Sequence, residues 1–170
     1  MFRKAFVQSK TLRRRPLLIA LVCLLFVAGA LVINPTSWGA TPAAGSISEA
    51  NPLISWTGQI KPATGSADCG SANNAGCENF KLTITPPSAG YGPYLVEIRL
   101  TPALVGDWDM QVYGPAGNLV DGSGNSPGQA ELVVLLNPAA GIYTVAAAPF
   151  APVVGADGNS FTATAELKHH

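Results

Sequence analysis

The chain has 170 residues, of which 48% are hydrophobic and only 12% are charged, so it is long enough to bury the core of one domain. All ten acidic residues lie beyond residue 40 with only four Lys or Arg residues, which gives that segment a formal charge of −6. Because nucleic acid and anionic lipid both attract a basic face, we expect neither as a partner of this segment.

Residues 1–40 have the order of an export signal. Six Lys and Arg residues and no acid precede residue 16, and residues 17–33 are apolar without a charge. The small residues at 28–30 are a candidate cleavage site of a signal peptide, and residues 37–39 are a second candidate. An uncleaved signal-anchor helix is the alternative, because the apolar run is at the lower limit for spanning a bilayer. Both alternatives predict a secreted or cell-envelope protein, and only an uncleaved N-terminal segment would attach it to the membrane.

The rest of the chain is predicted to be a linker at 41–52 and one β domain at 53–168. Apolar and polar residues alternate in five segments, which is typical of half-buried strands: 54–61, 80–85, 94–101, 107–112 and 161–167. Shorter strands are predicted at 119–120 and 142–148, and the continuous apolar run at 132–136 predicts a central strand covered on both faces. About eight strands without a helix after the signal predict an all-β, antiparallel β-sandwich of jelly-roll-like architecture.

Cys69 and Cys77 are the two cysteines that follow the signal. An even number in an oxidising compartment favours a disulfide, and the Gly- and Asn-containing residues 70–76 are flexible enough to let the two ends meet. A metal site is the alternative, but no further Cys or His ligand lies near this pair.

The sequence contains few candidate catalytic residues. The only histidines are His169 and His170, at the end of the chain, where they cannot act as the positioned base of a Ser-His-Asp or Cys-His site. Glu97, Glu131 and Glu166 lie on separate predicted strands, so solvated strand faces are favoured over a glycosidase carboxylate pair. We therefore predict that the chain is not an enzyme and has no cofactor, with calcium as the one exception considered next.

Asp107 and Asp109 are two positions apart on a predicted strand and project from the same face. With Asp121 or with loop carbonyls they offer the hard oxygen ligands that calcium prefers. The alternative, which we favour, is that Asp107 ends a turn and Asp109 is solvated on the outer face.

Two aromatic residues are candidates for stacking on a ligand. Tyr91 and Phe150 lie in Gly- and Pro-rich segments that are predicted to be loops, where packing does not require an exposed aromatic ring. The other interpretation is that they plug the open ends of the sandwich. Inward positions on strands predict that four further aromatic residues belong to the core: Trp56, Trp108, Tyr143 and Phe161.

Four segments between residues 106 and 167 carry a resemblance to a known family. They are GDWDMQVY at 106–113, GPAGNLV at 114–120, LVVL at 132–135 and NPAAGIYTV at 137–145. This part resembles the bacterial pre-peptidase C-terminal domain family and related jelly-roll modules of secreted bacterial proteins. The front half, with Trp56 and the Cys pair, is similar to N-terminal modules of secreted sialidase-like and protease-like proteins.

The resemblance implies an accessory module, with catalysis located elsewhere. We therefore predict a secreted or envelope-tethered, non-catalytic interaction module that binds an extracellular polysaccharide or a protein surface. The alternative is a carbohydrate-binding module in which Tyr91 and Phe150 stack on sugar rings.

Overall fold

A computed structural model describes residues 39–59, 69–103, 106–151 and 160–170, which belong to one compact unit, Ser37–His170. The predicted signal or anchor segment lies outside the described residues, except for its last two positions. Within the described ranges, no helix has the length and apolar character needed to cross a bilayer.

The described residues form nine strands in two sheets. One sheet has the order β1-β3-β8-β5-β6 and the other has the order β2-β9-β4-β7, and apart from the parallel β1–β3 pair all neighbouring strands are antiparallel. The fold is therefore all-β, as predicted. The strands are β1 (Ala44–Ile47), β2 (Leu53–Gln59), β3 (Glu78–Ile84), β4 (Tyr94–Pro102), β5 (Asp107–Tyr113), β6 (Leu119–Ser123), β7 (Glu131–Leu136), β8 (Gly141–Ala151) and β9 (Ser160–His169).

The inner faces of the two sheets share one hydrophobic core, which makes the domain a β-sandwich. Trp56 on β2 stacks on Phe80 on β3 with ring centroids 4.0 Å apart, and Trp108 on β5 meets Phe161 on β9 edge to face at 4.8 Å. Both contacts join one sheet to the other. The prediction that Trp56, Trp108, Tyr143 and Phe161 belong to the core is confirmed, because all four are buried.

Strand β1 lies within the segment that the sequence predicts to be a linker. It pairs in parallel with β3, and the Ile47 side chain is fully buried in the core. Four residues with one large apolar side chain carry too little alternation to be recognised as a strand. The pairing with β3 stabilises the extended conformation of β1, which the local sequence does not predict.

The prediction that residues 132–136 form a strand covered on both faces is wrong. Strand β7 is the last strand of its sheet, and its side chains alternate between the two faces. Val133 is buried, whereas Leu132, Val134 and Leu136 are exposed on the outer face. A continuous apolar run does not distinguish a central strand from an edge strand with an apolar outer face, so periodicity alone could not decide.

Candidate functional site

The disulfide predicted from the sequence is present. Cys69 and Cys77 are bonded, with their Cα atoms 5.9 Å apart. Asn74 holds the loop between them, because its side-chain amide donates to the Cys69 carbonyl (2.6 Å) and its Oδ1 accepts from the Gly76 amide (2.8 Å). The bonded cysteines pack with Tyr113, Ala146 and Ala148 in a second, smaller apolar cluster. These partners lie on strands β5 and β8, at positions that alternate with the core residues, so the loop covers part of the outer face of the five-stranded sheet.

A trough of about 460 Å³ lies beside this loop on the same face. Lys81 on β3 lines it, and its ammonium group donates to Asn73 Oδ1 and to Thr144 Oγ1 (2.7 Å). Ile142 and Pro115 supply an apolar part of the lining. The trough holds one cation, whose described hydrogen-bond partners are neutral oxygens.

Tyr91 and Phe150 lie at opposite ends of the sandwich. Tyr91 stacks on His169, which faces Tyr94 where β4 begins. Phe150 is next to Ala151, which pairs with Asp107, and Asp107 follows the far end of β4. Strand β4 has nine residues and spans roughly 26 Å at the usual rise per residue. The two aromatic residues therefore do not form one joint site within one molecule, and the role of each as a ligand contact stays a separate prediction.

Phe150 belongs to a small pocket with two acidic residues, which we call the acidic pocket. It has a volume of about 270 Å³ and is lined by Asp107, Asp109, Phe150 and residues 124–127. The prediction that Phe150 lies in a loop is wrong, because pairing with β5 extends β8 to Ala151. The Phe150 side chain is nevertheless 54% exposed. Asp107 is only 8% exposed, and no hydrogen bond or ion pair joins its carboxylate to another residue in the described ranges. Alternation on β5 correctly predicted that the two carboxylates lie on one face.

Burial is the main cause that raises the pKa of Asp109 above its ordinary value of 3.8, and the negative charges of Asp107 and Glu131 add to it. The carboxylate of Asp109 also lies close to Gly124, where an added Cβ would meet Oδ1 at 3.1 Å. Asp109 therefore lies where its negative charge is poorly solvated. A ligand that brings positive charge or hydrogen-bond donors would be favoured here.

Glu131 holds one wall of the acidic pocket in place. Its carboxylate accepts hydrogen bonds from Ser123 Oγ (2.5 Å) and from the Asn125 amide (3.0 and 3.1 Å). It is 1% exposed, so the expectation of a solvated strand face is wrong for this residue. Glu131 begins β7 on the inward side, where the loop after β6 supplies its donors. The sequence carries no local signal for this, because the donors come from a loop that alternation does not describe.

The structure places Asp121 apart from Asp107 and Asp109. Asp121 lies on β6 and lines a different groove, together with Val134 and Tyr143. Across the described ranges, no group of three or more His, Cys, Asp and Glu side chains is placed to hold a metal ion. Calcium binding by Asp107 and Asp109 stays a prediction.

An exposed apolar feature follows the two strands that end the sheets on one side of the sandwich. Strands β6 and β7 lie next to each other, and the Leu132 amide donates to Ser123 Oγ (3.2 Å). Exposed apolar side chains continue along both strands. We call this feature the β6–β7 stripe, and its members are Leu119, Val120, Leu132, Val134 and Leu136.

Comparison with known proteins finds similar folds among the solved structures. The chain is similar to the pre-peptidase C-terminal domain of a collagenase from Bacillus anthracis, with 9% sequence identity and a TM-score of 0.43 over 74% of this chain and 94% of that one. No protein-family model matches, and no curated protein matches. The match agrees with the resemblance noted in the sequence but does not establish membership of that family. At this TM-score it supports no conclusion about function.

Proposed function

We propose that this chain is an extracytoplasmic, non-catalytic accessory module of the jelly-roll class that binds a protein partner. The strand order supports the class. Strands β2-β9-β4-β7 face β3-β8-β5-β6, so the chain passes to the other sheet at each connection from β2 to β9 except between β5 and β6. The Cys69–Cys77 disulfide supports an oxidising compartment.

The β6–β7 stripe carries the proposal of a protein partner. Edge strands that stay solvated are usually protected by charged residues or Pro, yet residues 132–136 of β7 contain neither. Leu136 is 60% exposed, and Leu119 on β6 is 56% exposed. Contiguous apolar surface on a secreted domain marks an interaction site, and apolar protein surface is the chemistry that covers it best.

Site-specific photo-crosslinking in the native cells tests this proposal. A photoreactive residue replaces Val134 on the stripe or, as the matched control, Ser55, which is exposed on β2 at the other edge of the same sheet. We expect a discrete adduct at position 134 that is absent at position 55 and is lost when Leu132 and Leu136 are both changed to Ser. The partner, identified by mass spectrometry, should rebind the purified full-length chain.

Three outcomes would contradict the proposal. Equal adducts at positions 134 and 55 would indicate nonspecific contact. Adducts between two copies of this chain alone would assign the stripe to self-association. No adduct at position 134 in the cell would show that the stripe has no partner there.

Carbohydrate binding is the second candidate, and the exposure of Phe150 favours it. Tyr91 is less suited, because its ring is already stacked on His169. Sedimentation with insoluble polysaccharides, repeated with Phe150→Ala and Tyr91→Ala, tests it. Binding that is lost with Phe150→Ala alone supports this candidate, and binding that survives both changes removes the aromatic site.

A further inference from the structure

The acidic pocket accepts hydrogen bonds but offers few side-chain donors. Its two carboxylates are acceptors, and the side-chain amide of Asn125 already donates to the Ala130 carbonyl (2.8 Å). Asp107 is more than nine-tenths buried and lines the pocket without a hydrogen-bond partner in the described ranges. A donor or a cation that enters the pocket would therefore meet a carboxylate that no described residue already occupies.

The positive charge that would satisfy Asp107 and Asp109 is not supplied by the described residues. Arg99 and Lys168 form ion pairs on the other sheet with Glu97 and Glu166. The third described cation, Lys81, donates to Asn73 and Thr144 in the trough. The segment beyond residue 40 carries a formal charge of −6, so its electrostatic field favours a cationic ligand.

Phe150 and the volume of the pocket indicate what kind of cation would fit. Its exposed ring lies in the same pocket as the carboxylates, and an aromatic face attracts a cation placed above it. The volume of about 270 Å³ lies just below the range of roughly 300–1,000 Å³ that is typical of small-molecule sites. The space therefore suits one side chain better than an extended ligand.

We propose that the acidic pocket binds an arginine side chain of a polypeptide partner. A guanidinium group is planar, so it stacks on the Phe150 ring while its N–H groups donate to the carboxylates of Asp107 and Asp109. A lysine ammonium group supplies the charge but not the planar fork. The identity of the partner as a polypeptide rests on the proposed function, whereas the chemistry of the pocket does not.

Titration of the isotope-labelled full-length chain in neutral detergent tests the pocket directly. The probes are N-acetyl-arginine amide, N-acetyl-lysine amide, glucosamine and calcium chloride, and the readout is the amide chemical shifts of residues 107–109, 124–127 and 150. We expect saturable shifts with the arginine probe, a dissociation constant about 10-fold weaker with Asp109→Asn, and one about 3-fold weaker with Phe150→Ala.

Two matched controls keep this test specific. Asp121→Asn makes the same charge change on β6 outside the pocket, and Ile142→Ala removes an equally exposed apolar side chain from the other end of β8. Both should leave the dissociation constant within about 2-fold of the parent, because neither residue lines the acidic pocket.

Every other result overturns the inference. Equal binding of the lysine probe would remove the preference for arginine, tighter binding of glucosamine would assign the pocket to an amino sugar, and tighter binding of calcium would make it a metal site. Failure of all probes, or equal losses with the controls, would show that the pocket is not a site. If the parent chain forms no crosslink at position 134 but still binds the arginine probe, only the proposed function is contradicted.

Discussion

At the scale of single residues, Gly58 on β2 lies directly opposite Phe161 on β9, and the aromatic ring covers the glycine. A Cβ built on Gly58 would lie 2.2 Å from Phe161 Cζ, so a side chain here would displace a core ring that also contacts Trp108. We expect Gly58→Ala to lower the free energy of unfolding by about 1–3 kcal/mol, measured by chemical denaturation. Gly90→Ala is the control, because the space around Gly90 is open. Equal effects of both changes would contradict this role of Gly58.

Asp109 gives a prediction about pH. Because its pKa is raised in the folded state, mainly by burial, the folded chain holds this proton up to a higher pH than the unfolded chain does. Its contribution to stability therefore falls as the pH rises from about 3.8 through the raised folded pKa, and the penalty is complete once the pH is above that pKa. We expect Asp109→Asn to raise the melting temperature at pH 7 by about 1–3 °C.

Melting temperatures of the Asp109→Asn variant and the parent, compared across a range of pH, show whether the charge of Asp109 is the cause. The advantage of the Asp109→Asn variant should shrink as the pH falls through the raised pKa, because the parent then becomes neutral at this site. Asp107 and Glu131, whose negative charges also act on Asp109, are present in both proteins, so the comparison isolates residue 109. If the melting temperature of the Asp109→Asn variant at pH 7 is equal to or below that of the parent, the prediction is contradicted.

At the scale of elements, the Cys69–Cys77 loop is tied to the sheet by the disulfide and by the packing of both cysteines against Ala146 and Ala148. Replacement of both cysteines by Ser should lower the free energy of unfolding by roughly 2–3 kcal/mol through loop entropy. The loss should be somewhat larger once the buried apolar contacts are included. Denaturation of the variant, with the reduced parent beside it, measures this. A variant as stable as the oxidised parent would show that the closed loop contributes nothing.

The strands themselves could be predicted from the sequence where alternation is long. Residues 94–100 and 161–167 show it clearly, and both lie within strands of the structure. Strand β1 is too short to show a period, and the apolar run of β7 hides which side faces water. Pairing between strands decides both cases, and pairing is not encoded in any single window of the sequence.

At the scale of the whole molecule, the candidate site was only partly accessible to sequence reasoning. Asp107 and Asp109 were placed on one face by their spacing. Phe150 was identified because the sequence predicted it to lie in a loop, although it lies on β8. Their meeting in one pocket depends on the pairing of β5 with β8, which brings residues more than 40 positions apart together. Tyr91 and Phe150 do not share a site, and the physical reason is again strand pairing, which places them at opposite ends of β4.

The location of the whole molecule can be read from its thiols. If the N-terminal segment directs export, Cys69 and Cys77 are oxidised, and Cys23 alone reports whether that segment has been removed. We expect denatured protein from native cells to show either no free thiol, as a cleaved species in the medium, or one, as full-length protein in the membrane fraction. Gel shift with a maleimide polymer, before and after reduction, counts the thiols. Full-length protein in the cytosolic fraction with three reactive thiols would contradict export, and the accessory role outside the cell would fall with it.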